Sequence, residues 1–254
     1  MHHRLCFAIL AVATPATGFA QQVDISVGGS YSSGHYGAPD RTELATTYVN
    51  LGISHSGWRL DTTLPYLWLR SGGAPVDIGG IPLPGGQRTK GLGDLTLRAS
   101  RSLTSLAPFE VTLGGQVKVP TGNANLSTGK FDGRLDAELA RAVGALSPFV
   151  AVGYNTYGDS RLLELQDGWS LSAGSSATFG STILIGSYDW SQSSVGGPAS
   201  HELSAVAAGQ LAPGWGWTAF GSKGLSSGAA DFLFGGGLPA LLAAPEECQC
   251  DVRA

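Results

Sequence analysis

The stretch Trp58–Arg70 reads W-R-L-D-T-T-L-P-Y-L-W-L-R. Trp58, Leu60, Thr62, Leu64, Tyr66 and Trp68 hold one phase of a two-residue period, and Arg59 and Asp61 open the other. Successive side chains on a strand point to opposite faces, so this spacing makes one apolar face and one charged face. About ten residues tilted near 45° cross the roughly 25 Å apolar band of a bilayer. Tyr66 and Trp68 fall near the end of the run, where the aromatic girdle of such a strand sits.

The pattern recurs along the chain. Val23, Ile25 and Val27 alternate, as do Val49, Leu51 and Ile53, then Leu95, Leu97 and Ala99. Phe109, Val111, Leu113, Val117 and Val119 follow, with Leu135, Ala137 and Leu139 after them. Runs from Phe149 to Tyr157, at Trp169, Leu171 and Ala173, and at Ile183 and Ile185 come next. Leu203, Ala205 and Ala207, Trp217 to Lys223, and Ala230 to Leu238 complete about twelve expected strands. Glycine interrupts nearly every window that could be helical. The connections at Ser56-Gly57, Leu103–Pro108, Val143–Ser147, Phe179-Gly180 and Leu211–Trp215 are short. Those at Gly34–Glu43, Arg70–Gly91, Pro120–Asp132, Gly158–Asp167 and Ser191–Ser200 are long and polar. Short periplasmic turns alternating with long extracellular loops are the mark of an outer-membrane barrel. In lipid every backbone polar group needs an internal partner, so the sheet must close on itself. A soluble β-sandwich has the same period but gives no reason for this alternation.

Composition narrows the reading. Charged residues are only 13% of the chain, against roughly 25% in soluble domains, and the 38 glycines in 254 residues are about twice the usual share. A net charge of −4 leaves no basic footprint for nucleic acid. Residues 1–20 read as a signal peptide, with Arg4 before the apolar Leu5–Val12 and small residues ahead of Gln21. Residues 21–238 then form the barrel, and 239–254 an atypical C-terminal tail. Cys248 and Cys250 are too close for a relaxed disulfide, and no cysteine–histidine cluster has zinc spacing, so neither metal nor cofactor is expected.

Gly91-Leu92-Gly93-Asp94-Leu95, Lys118-Val119-Pro120-Thr121-Gly122, Thr128-Gly129-Lys130 with Asp132, His201-Glu202-Leu203-Ser204-Ala205, and Lys223-Gly224-Leu225-Ser226 with Asp231-Phe232 follow one another in order. In this the chain resembles the bacterial outer-membrane transporter family of MetA-pathway of phenol degradation-like β-barrels, over most of residues 23–237. The resemblance implies a β-barrel and passage of small, often apolar molecules, and brings no catalytic or binding residues with it. Barrels of this kind end in a strand with a terminal aromatic residue, which the barrel-assembly machinery reads. Here the last strand passes into Leu238-Pro239-Ala240 and a terminal Ala254, as an altered or out-of-frame tail would. Pro239 would also withhold a ladder hydrogen bond at the closing seam.

With the apolar phase outward, against outer-membrane lipid, the inward phase gives the candidate lumen lining. It comprises Arg59, Asp61, Asp94, Arg98, Glu110, Lys118, Arg134, Asp136, Glu138, Glu202 and Lys223, with Thr96, Thr112, Gln116 and several serines between them. Opposite charges across a narrow lumen brace the wall or select solutes. About twelve strands fall between side-chain-filled barrels of eight and open porins of 16–18. Catalysis is not expected. Ser200-His201-Glu202 and Ser54-His55-Ser56 set neighbours on opposite faces, His35 lies in an outer loop, and Gly91-Leu92-Gly93 lacks the rest of a nucleotide fingerprint. Val76, Ile78, Ile81 and Leu83 make the Arg70–Lys90 loop apolar enough to fold into the mouth as a constriction. The expectation is a narrow outer-membrane channel for passive uptake of small molecules, apolar or aromatic ones among them. The alternative is a surface-structural or adhesive barrel that acts through its loops.

Overall fold

The computed structural model describes residues 22–71, 76–77, 82–83, 88–158 and 164–243. The expected signal segment and all three cysteines lie outside them. The strands are β1 (Gln22–Gly34), β2 (Thr42–His55), β3 (Trp58–Arg70), β4 (Val76–Asp77), β5 (Pro82–Leu83), β6 (Arg88–Leu92), β7 (Leu95–Leu103) and β8 (Phe109–Val119). After them come β9 (Asp132–Arg141), β10 (Leu146–Thr156), β11 (Gly168–Phe179), β12 (Thr182–Ser191), β13 (Ser200–Ala212), β14 (Trp215–Gly224) and β15 (Phe232–Ala243). β4 and β5 pair only with each other. β6 and β7 share one place in the wall, both antiparallel to β3 and separated at Gly93-Asp94. The wall therefore has twelve strand positions, each antiparallel to its neighbours, and β1 pairs with β15 to close it. Among the described strands of the wall, β6 alone pairs on one side only, with β3, and it lies at the long-loop end; the other wall strands are paired on both sides, as a span through lipid requires.

Turn chemistry fixes the two ends. Ser56 and Gly57 both have positive φ, +49° and +79°, as a two-residue hairpin needs to match strand twist. Five short connections and both ends of the described chain lie at one rim. Six longer connections lie at the other, including 225–231. β6 corrects the expectation of one loop from Arg70 to Lys90, because Arg88–Leu92 extends the wall beside Tyr66–Arg70. The other apolar residues read there as a constriction fall in or beside the parts of the loop outside the described residues.

β15 runs five residues beyond Leu238, and Pro239 sits in register with Ser26 of β1. The ladder to β14 skips Leu238 and Pro239, and a Cβ on Gly216 would come within 3.0 Å of the proline ring. A glycine opposite the ring and a gap in one ladder accommodate the proline at this seam.

Val27, Leu60, Leu113, Leu135, Val150, Leu171 and Leu203, on seven different strands, are 48–71% exposed and share the outer face. An apolar band that continuous fits hydrocarbon and not water. Aromatic residues bound it. Tyr31 with Phe232 and Phe234, Tyr66 with Trp68, and Tyr154 with Trp169 lie toward the long-loop rim. Trp58 under Arg101 and Phe109 under Arg141 lie at the short-turn rim, with guanidinium-to-ring distances of 5.1 and 5.5 Å. The protein is an all-β, closed antiparallel barrel of the outer membrane.

Candidate functional site

The inner face is built from register. Asp24, Gly52, Asp61, Arg98, Gln116, Arg134 and Asn155 are successive ladder partners from β1 to β10, so they share one side of the sheet. A second row runs Ser100, Gly114, Asp136, Gly153 and Ser170. The charges in these rows pair along the wall. Arg59 donates to Asp24 at 3.1 Å and lies 2.9 Å from Asp61. Arg98 donates two 2.8 Å hydrogen bonds to Asp136, whose Oδ1 also accepts from Arg134 Nε at 3.2 Å. This bidentate fork is the strongest geometry available to such a pair.

Glycines make the flat arrangement possible. A Cβ on Gly52 would come within 2.5 Å of Arg59, one on Gly114 within 2.5 Å of both Arg98 and Asp136, and one on Gly153 within 2.8 Å of Arg134. Each guanidinium thus lies over a bare stretch of backbone instead of reaching across the lumen. Glu110 and Glu138 continue the inner phase of β8 and β9 below this lattice.

Nearer the long-loop rim, Lys118 lies 3.0 Å from Asp94 and 2.9 Å from Asp132 and donates to Thr128 at 3.1 Å. Asp94 also accepts from Ser127 and the Gly122 N–H, which pins the 120–131 loop over β7 and β8. Glu202 accepts from Ser200 at 2.9 Å and Ser222 at 2.8 Å. Lys223 is a correction: it pairs with Leu203 and Phe232 in the outward phase, while Glu202 faces Gly224. The phase of Trp215 and Trp217 reaches Lys223 six residues on, and a long lysine at a rim can carry its charge to the headgroups.

The inner face carries nine carboxylates, Asp24, Asp61, Asp94, Glu110, Asp132, Asp136, Glu138, Asp189 and Glu202, against four cations, Arg59, Arg98, Lys118 and Arg134. That is an excess of five negative charges among the described strands and the β6–β7 corner.

The other half of the wall differs. Ile183 and Ile185 correct the expectation of an outward apolar phase on β12. Leu184, Tyr188 and Trp190 hold that phase, in register with Ala177, Ala173 and Leu171. Phe149 lies over Gly174, Phe220 over Gly235, and Tyr48 over Gly28, each where an added Cβ would collide with the ring. With Val206 and Leu233, Phe149, Phe220 and the two isoleucines give β10 to β15 an inner wall of aromatic, aliphatic and small side chains, while Tyr48 on β2 stands beside the charged rows. Asp189 on this side is held by Ser172 at 2.6 Å and Ser187 at 3.0 Å.

The outer mouth holds a third feature that the sequence reading missed. Tyr36, Leu67, Leu69, Leu126 and Ala230 form a buried cluster, Leu126 fully so, with Ala38 and Leu44 packed against it. Three different loops contribute. Arg41 donates to Ser33 at 2.9 Å and Asp231 at 2.7 Å, and the Gly37 N–H donates to the Ser227 carbonyl. Burial pushes the Tyr36 phenol well above its ordinary pKa, and its hydroxyl donates to Ser32 at 3.1 Å. The available signal was Leu67 and Leu69, two apolar residues in the phase that begins with Arg59 and Asp61. The partners from three loops carry no pattern of their own.

The histidines stay apart from a nucleophile arrangement. His201 Nδ1 meets the Tyr188 hydroxyl at 2.5 Å on the outer face, while Ser200 turns inward to Glu202. His35 lies 3.8 Å from Asp231 in the first long loop, and His55 ends β2 beside the Ser56-Gly57 turn.

No family model matches the chain, and no curated protein matches it by sequence. Among solved structures it is similar to an outer membrane channel from Pseudomonas putida F1, with TM-score 0.63 and 14% identity over 90% of this chain and 99% of that one. It is also similar to the translocator domain of the autotransporter NalP from Neisseria meningitidis, with TM-score 0.53 and 11% identity over 89% of this chain and 90% of that one. At these identities the likeness shows a shared fold, the closed outer-membrane β-barrel.

Proposed function

We propose that the protein is a narrow, cation-preferring outer-membrane channel for passive uptake of small molecules, and that solutes with an apolar or aromatic face are among them. The observation that carries this reading is the two-sided inner wall. One half bears ion pairs lying flat over glycines, with a surplus of carboxylates. The other half offers Phe149, Phe220 and Ile185. A solute with a polar edge and an apolar face can meet both without losing all its hydrogen bonds. No residue of the lumen is assigned a chemical step.

Single-channel recording of the folded chain in a planar bilayer under a KCl gradient tests the reading. Discrete steps with a reversal potential on the potassium side are expected. Anion preference, or silence from protein shown to be folded, overturns it. Silence would favour the second reading, a barrel that acts through its outer loops, which the packing of Tyr36, Leu126 and Ala230 at the mouth supports.

A further inference from the structure

On the outer face, near the long-loop rim, two rows of ladder partners lie side by side. Tyr31, Ala45, Trp68 and Lys90 make one, and Glu43, Arg70 and Arg88 make the other. The small Ala45 between two large aromatic side chains leaves a furrow, and together these residues line a groove of about 450 Å³. Below Ala45 the outward positions continue through Thr47 and Gly29 into the lipid-facing band. In the row of Ala45 and the next stand three cations and one carboxylate, Lys90 in the same row and Arg70, Arg88 and Glu43 above. Arg70 lies 3.5 Å from Glu43, with 59% of its side chain exposed. Arg88 and Lys90 have no ion-pair partner among the described residues and are exposed.

An apolar furrow in the band, topped by a net charge of about +2 at the height of the aromatic girdle, complements one kind of molecule: a lipid with a phosphate headgroup. The girdle in question is at the long-loop rim, so the leaflet is the outer one. We infer that this groove binds a phosphorylated glycolipid of the outer leaflet, its lipid A phosphates held by Arg70, Arg88 and Lys90 and one acyl chain lying between Tyr31 and Trp68. The opposite rim has arginines too, but Arg101 and Arg141 each sit over a single ring.

Native mass spectrometry of the full folded chain released from detergent, titrated with diphosphoryl lipid A, tests the assignment. Folding of each variant is checked by heat-modifiable migration. The wild type should retain one tightly bound lipid. R70Q/R88Q/K90Q should bind about a hundredfold more weakly, at about a factor of five per charge removed. A45W, which fills the furrow and keeps the charges, should also lose binding, whereas R101Q/R141Q should not. Undiminished binding by either groove variant refutes the site. Equal weakening in R101Q/R141Q reduces the effect to net charge and refutes it as well. Equally tight binding of dephosphorylated lipid A refutes the phosphorylated ligand, and equally tight binding of phosphatidylglycerol refutes the outer-leaflet glycolipid as occupant.

Discussion

Asp136→Asn changes one atom type at the centre of the lumen lattice. The wild-type carboxylate accepts two 2.8 Å bonds from Arg98 and a 3.2 Å bond from Arg134, with 11% of its side chain exposed. The amide keeps one acceptor and turns an NH2 group toward the guanidinium, so a donor meets a donor and two arginines lose their shared counter-charge. Removing one member of a buried pair costs about 3–5 kcal/mol. Asp61, the ladder partner of Arg98, remains to receive part of the freed charge. The expected loss is therefore at the lower end, about 3 kcal/mol. Urea unfolding in lipid vesicles, followed by tryptophan fluorescence, measures it. A double-mutant cycle with Arg98→Gln should give a coupling of about 2 kcal/mol. In bilayers the same substitution should weaken potassium preference, since the negative excess of the inner face falls from five to four. A loss under about 0.5 kcal/mol, together with additivity in the cycle, would refute the reading that this fork braces the wall.

Three further outcomes follow from the same geometry. Leu126→Ala removes a fully buried side chain from the mouth cluster and should cost about 2–4 kcal/mol in unfolding while raising conductance; unchanged conductance would mean the cluster does not obstruct the pathway. Lys118→Met takes the shared cation from Asp94 and Asp132, so trypsin should cut after Lys130 several-fold faster, and an unchanged rate would show that the 120–131 loop is held by other contacts. Gly235→Val places a branched side chain where the Phe220 ring lies and should sharply reduce the folded fraction on refolding, with Phe220→Ala in the same chain restoring part of it.

Much of the wall was legible along the chain. Trp58–Trp68 shows both the outward apolar phase and the inward Arg59 and Asp61, because a strand's alternation is local and every residue carries its own side of it. Inward position could be read the same way for Arg98, Lys118, Arg134 and Asp136, each surrounded by outward apolar neighbours. The rule failed where both phases are apolar or where charge reaches a rim. Ile183 and Ile185 read as outward although Leu184 between them holds that phase, and Lys223 reads as inward because its charge suggests an interior it does not enter.

Alternation, loop asymmetry and a charge-poor, glycine-rich composition were sufficient by themselves to determine an outer-membrane barrel and most of its inward-facing charge. They work because a membrane-spanning sheet must satisfy its backbone internally and show each medium one face. Only the tertiary structure decided which inward residues meet: Arg98 with Asp136 across a bare Gly114, Phe149 over Gly174, and Tyr36 with Leu126 and Ala230 at the mouth. It also decided that Pro239 fits within the closing seam, opposite a glycine and beside a break in one ladder. These contacts join residues far apart in sequence. Their geometry depends on strand register and barrel closure, which no local pattern specifies.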